Sequence, residues 1–253
     1  MQKVDAPRDV IRETVIVSLQ KQSGEEARKK RRLYELAGLP YDPKEEIQIM
    51  VLLSLMVEPY VNNIAGLTTD EEFVDQLKGV LRTSFGSQIR KEFAKEEEEM
   101  SPEDRQQMSQ QVSRGVTAMV DSLLTYSLPA DYQKKGDRYW KYVFELAGEK
   151  GIAPKDVFVS DELYKEVIRH IYTREEHQAN IEKTGSFYDP DTLFEIILKP
   201  MIESLAEDKE EAAEVFNELK EEMRSSQEFQ GKMKAMKNAF SQVATEEIKR
   251  IYG

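Results

Sequence analysis

The sequence predicts an all-α fold, a multi-helix bundle of roughly nine helices with at most one short extended segment. Three observations predict it. Apolar residues recur at helical spacing along most of the chain, capping residues and helix breakers punctuate that pattern, and only Ile152–Ser160 has the composition of extended backbone. The densest apolar run is Ile47–Val57 (IQIMVLLSLMV), in which only Gln48 and Ser54 are polar. Those two positions leave no single wet stripe, so the run is expected to be a buried central helix.

The elements follow in order. Asp5 and Pro7 open a helix carrying Val10, Ile11, Val15 and Leu19; Ser23-Gly24 is expected to break it, and a second helix runs from Glu25 to Ala37 before Gly38 and Pro40. Asp42, Pro43 and Glu45 form a capping box with proline at the first helical position, opening the apolar run that Pro59 is expected to end or kink. Thr69 to Glu72 is another capping box, and the helix it opens is expected to stop at Gly86 before a charge-rich segment closing on Glu96–Glu99. Ser101-Pro102 starts a helix with Met108, Val112, Val116, Met119, Val120, Leu123 and Leu124 inward, interrupted at Leu128-Pro129.

An aromatic helix containing Tyr139, Trp140, Tyr142 and Phe144 is expected to end at Gly148, with the single tryptophan packed against the body. Pro154 and the triplet Val157-Phe158-Val159 favour the extended piece. Helix resumes at Ser160 and ends near Gly185, and Asp189-Pro190 opens a further helix with Leu193, Phe194, Ile196, Ile197 and Leu198, kinked or ended near Pro200.

Residues 207–253 read as a separate C-terminal helical pair on a 1–206 helical body, whose two lobes, if it has them, meet near 100–130. Phe216, Leu219 and Met223, then Phe229, Met233, Met236 and Phe240, step by three and four, the spacing of a helix-pairing seam, and Ser225 to Glu228 breaks the phase between the two runs. Glu207–Arg224 carries eight acidic and three basic residues, whereas Ser226–Ile251 carries three acidic and five basic. Opposite balances favour an antiparallel hairpin with a coiled-coil-like seam.

A net charge of −12 opposes a phosphate-binding surface spread over the whole molecule. With no cysteine, disulfides, thiolate metal sites and a cysteine nucleophile are excluded. The N-terminus lacks the apolar core of a secretory signal and no apolar run reaches the roughly 20 residues of a membrane span, so the expected location is cytoplasmic.

The phosphate-loop, dinucleotide and nucleophile-elbow glycine motifs are not present, and no cofactor is expected. His170 and His177, read as two turns apart on one helix face, do not have the Glu-x-x-His spacing of a di-iron bundle. Glutamate pairs at Glu207/Glu210, Glu211/Glu214 and Glu218/Glu221 have a spacing that holds a hard cation, but they lie on a strongly acidic outward face.

Arg28, Lys29, Lys30, Arg31 and Arg32 form a basic collar around a helix. It suits a phosphate backbone or an anionic surface, or else pairs with acidic stretches such as Glu96–Glu99. The function these residues lead us to expect is a non-enzymatic protein–protein interaction or assembly protein, adaptor- or chaperone-like. It would bind another protein, or self-associate, through the C-terminal seam. Nucleic-acid or anionic-surface binding through Arg28–Arg32 is the alternative, and carboxylate-metal hydrolysis stands third.

Overall fold

The computed structural model describes residues 3–92, 100–128 and 130–253. Helices account for most of them, and there is no strand among the described residues. The elements are α1 (Arg8–Ala37), α2 (Lys44–Ile64), α3 (Asp70–Glu92), α4 (Pro102–Ser127), α5 (Tyr132–Lys150), a 3-10 turn (Pro154–Val157), α6 (Asp161–Ile171), α7 (Arg174–Gly185), α8 (Pro190–Leu193), a π-helical segment (Phe194–Leu198), α9 (Lys199–Leu205), α10 (Lys209–Ser225) and α11 (Gln227–Tyr252).

Helix starts follow local chemistry closely. Glu72 accepts from the Thr69 amide at 2.7 Å while the Thr69 hydroxyl accepts from the Glu72 amide, which is the reciprocal capping box at α3. Ser101, Ser160, Asp208 and Ser226 accept from amides in the first turns of α4, α6, α10 and α11. Asp42 accepts from the Lys44 amide, whereas the Glu45 side chain, Pro129 and the Glu96–Glu99 stretch lie outside the described residues.

Several expected stops differ. α1 is one helix through Gly24, because Leu19, Ser23 and Ala27 are buried on either side of the glycine and packing outweighs its helix cost of about 1 kcal/mol. α3 continues through Gly86, and α2 runs on to Ile64 with Pro59 inside it, which overturns the stop but not the kink expected there. Gly151, at φ 65°, rather than Gly148, takes the left-handed cap of α5. The expected extended piece is instead a 3-10 turn that turns Val157 and Phe158 into the core, so burial overrides β propensity there.

The chain divides into two compact units of non-contiguous segments: residues 1–77, 129–185 and 238–253, and residues 78–128 and 186–237. Residues 207–253 contribute to both. In the first unit α1 supplies Ile11, Val15 and Leu19 to a core shared with Trp140, Val143, Leu146 and Ala147 of α5, Val157, Phe158, and Tyr164 and Val167 of α6. The Trp140 ring meets those of Tyr60, Tyr139 and Phe158 edge-on, so the tryptophan is a packing residue as expected.

The second unit centres on Phe194, which is fully buried, stacks against Phe229 at 6.2 Å and has the Lys220 ammonium over its ring. Val116, Met119, Val120 and Leu124 of α4 are also buried there, and Gly115 brings α4 close to Met201 and Leu205 of α9.

The run Ile47–Val57 is not the core helix that its apolarity predicts. None of its residues is buried, and Ile47, Met50, Val51 and Leu55 are 62, 62, 52 and 45% exposed. Only the last turns of α2 enter the core, through Val61 and Ile64; Leu53, Val57 and Tyr60 pack against it from the edge. An apolar circumference states how much a helix would gain from cover, whereas cover here comes from α1 along one side.

Because α2 runs on past Pro59, Glu46–Ile64 also has the length and apolarity of a membrane span, which the eleven-residue run did not. Within and beside it lie charged and polar contacts. Glu58 pairs with Arg8 and Arg12, and Lys3, Asn63 and Asp70 hydrogen-bond to one another beside the last turn.

Candidate interaction surfaces

Three surfaces of this chain are candidates for function: the basic collar, the C-terminal seam and the apolar side of α2. The first unit contains the collar, in the last three turns of α1. Arg31 binds Glu46 through Nε at 2.5 Å and Nη2 at 2.9 Å, a bidentate pair that Tyr41 extends by donating to the same carboxylate. The Arg31 hydrogen bond holds Glu46 below the usual carboxylate range.

Arg32 lies between Glu35 and Glu246, and Lys29 between Glu26 and Glu247. Lys30 is also engaged, whereas Arg28 is exposed and makes no ion pair among the described residues. Own-chain carboxylates thus occupy most of the collar, and a phosphate backbone would have to displace them.

Arg28, Lys29 and Arg32 form one wall of a cleft of about 300 Å³, whose other wall is Val243, Glu246, Glu247 and Arg250 of α11. Of these residues, Lys29, Glu247 and Arg250 belong to a charge network built around two buried carboxylates, Glu25 and Glu247. Arg250 donates to Glu25 at 3.1 Å, to both oxygens of Glu247 at 3.0 Å and to Asp161 at 3.1 Å; Lys21 and Lys29 approach Glu25 and Glu247 at 3.5 and 3.4 Å. Burial alone would raise the Glu247 carboxyl, but the hydrogen bonds and field of Arg250 and Lys29 bring it below its ordinary value. Hydrogen bonding from Lys165, then from Lys21, with the charge of Arg250 nearby, brings Asp161 down to about 2. Every charge in the network has an opposite partner, which is the arrangement of a structural clasp between α1, α6 and α11.

The seam residues are split between the units. In the second, Phe216 lies under the Lys199 and Lys220 ammonium groups, Phe229 stacks on Phe194, and Met236 is buried. Met223 and Met233 are half-buried, and Leu219, at 37% exposed, is the most open of the seven. In the first, Phe240 lies directly over Gly185, where a Cβ would fall inside the ring's contact distance. The seam is therefore largely spent on intramolecular packing.

The histidines do not share a helix face, since α6 ends at Ile171 and α7 starts at Arg174. His170 stacks on Tyr142, with ring centroids 3.6 Å apart. His177 lies between Tyr172 and Tyr252 with its Nδ1 buried and without a hydrogen-bond partner among the described residues. Among the described residues no three His, Asp or Glu side chains are grouped as a metal site would need.

The third surface is the apolar side of α2. Lys44, Ile47, Val51, Ser54 and Glu58 step by three and four, with Met50 and Leu55 flanking them, so the exposed positions form one stripe along the helix. No signal in the sequence distinguishes it from a core stripe. No family model, curated protein sequence or solved structure matches the chain.

Proposed function

We propose that this chain is a non-enzymatic protein–protein interaction or assembly protein, and that its contact surface is the exposed stripe of α2 rather than the C-terminal seam. The observation that carries the reading is the exposure of Ile47, Met50, Val51 and Leu55 on one side of a single helix. A contiguous apolar stripe of that kind, flanked by charged residues, is how soluble proteins present a binding site for another helix.

A photo-crosslinking residue at Met50 tests the reading in native extract, with one at Leu219 for comparison. The proposal expects a discrete protein adduct from position 50 and at most weak labelling from position 219; adducts from neither position would refute it, and adducts from 219 alone would return the function to the seam.

Phosphate-backbone or anionic-surface binding is a second reading, favoured by Arg28, which lines the cleft, is exposed and makes no ion pair among the described residues. It expects salt-sensitive binding to duplex DNA or anionic vesicles that is lost when Arg28 and Lys30 become glutamine.

A further inference from the structure

We infer that the occupant of the α2 stripe is a second copy of this chain, docked antiparallel about Val51; the inference rests on the proposed contact role of this surface. The stripe is self-complementary about that residue. Three positions to either side of Val51 lie the polar pair Gln48 and Ser54, four to either side the apolar pair Ile47 and Leu55, and seven to either side the charged pair Lys44 and Glu58.

A two-fold axis at Val51 therefore brings polar, apolar and oppositely charged residues to matching levels of the two helices, as an isologous interface requires. Lys44 is exposed and makes no ion pair among the described residues, and the Glu58 side chain is still 49% exposed beside Arg8 and Arg12. Each end of the helix pair would gain a Lys44–Glu58 contact across the axis. A partner with one unrelated surface would have no reason to match this symmetry.

An anionic membrane is the less favoured occupant. The molecule carries −12 overall, Asp42 and Glu46 flank the stripe, and the far end of α2 is fixed in the core by Val61 and Ile64. The stripe is also short, so the interface falls near or below the ~1,000 Å² typical of stable assemblies and the dimer should be weak and concentration-dependent.

The chain has no cysteine, so single introduced thiols report register without interference. The test uses the full chain in two measurements. Sedimentation across a wide concentration range should show reversible growth from monomer to dimer, lost in Met50→Lys, whose side chain is exposed and whose circular dichroism and melting curve should be unchanged.

Under mild oxidation Val51→Cys should form covalent dimers. Ile47→Cys alone should not, since antiparallel docking separates the two copies of position 47 by about 12 Å along the axis, beyond the ~7 Å reach of a disulfide. Mixing Ile47→Cys with Leu55→Cys should restore the covalent dimer.

A monomer at every concentration would overturn the inference, as would a dimer that Met50→Lys leaves intact or that cross-links through Ile47→Cys alone. Binding to anionic vesicles in place of self-association would overturn it too. A monomer that still gives a Met50 adduct with a different protein sinks the second copy but leaves the interaction role standing; loss of both sinks the role itself.

Discussion

Replacing Arg250 by methionine isolates the clasp that closes α11 on α1 and α6. The variant leaves Glu25 and Glu247, 7 and 8% exposed, without the guanidinium that donates to both. Removing one member of a buried pair typically costs about 3–5 kcal/mol. Lys21 and Lys29 remain within 3.5 Å of the two carboxylates, and Asp161 is half exposed and can rehydrate, so a loss of about 2–3 kcal/mol is expected.

Urea unfolding followed by Trp140 fluorescence reads this directly, because the only tryptophan is buried in the same unit. The pH dependence carries a signature. Glu247 has a folded pKa below its unfolded value, so its stabilising contribution is complete above about pH 4.3 and is lost as the pH falls through the lower folded value. In Arg250→Met, burial without the guanidinium raises that pKa instead, and protonation then relieves the defect. The gap between variant and wild type should narrow as the pH falls from 7 toward 4. A loss under about 0.5 kcal/mol, or a gap that does not change with pH, would refute the clasp.

Other expectations follow from the same structure. Gly185→Ala should destabilise by about 1–3 kcal/mol, since its methyl group meets the Phe240 ring. Gly24→Ala, with nothing within 4 Å, should stabilise α1 by about 0.5–1 kcal/mol; thermal melts of both check the contrast. Phe194→Ala should cost about 3–5 kcal/mol by removing the centre of the second unit, and far-ultraviolet circular dichroism in urea measures it. Burial lowers the folded pKa of His177, so stability should decline as the pH falls below about 6.5 toward that lower value; His177→Gln should flatten this part of the profile in denaturant titrations.

The legible parts of this fold are those decided by neighbours in sequence. The Thr69–Glu72 box and the Ser101 and Ser160 caps mark real helix starts because a cap is satisfied within three residues. Stops were harder to read. Gly24 and Gly86 weaken a helix only by an amount that tertiary packing can offset, and Val157-Phe158-Val159 is drawn into a 3-10 turn by burial of its first two members.

The candidate surfaces were less legible still, since each depends on which distant elements come together. Arg32 meets Glu246 across 214 residues of sequence, so pairing of the basic collar could be expected from the sequence but its distant partners could not be read there. The apolar run of α2 reads as core because periodicity reports what a helix would bury, and it carries no record of how much cover the rest of the chain supplies. Phe229 and Phe240 read as one seam, yet each is taken up by packing within a different unit.

The most direct test of the interaction surface is the thiol reactivity of Met50→Cys, with Val61→Cys as a buried reference on the same helix. In dilute solution the thiol at position 50 should react with a maleimide almost as fast as a small model thiol, and far faster than at position 61. As the protein concentration rises, position 50 should become protected while position 61 is unchanged. Slow labelling at position 50 in dilute solution would mean that the chain itself covers the stripe, and would contradict the account.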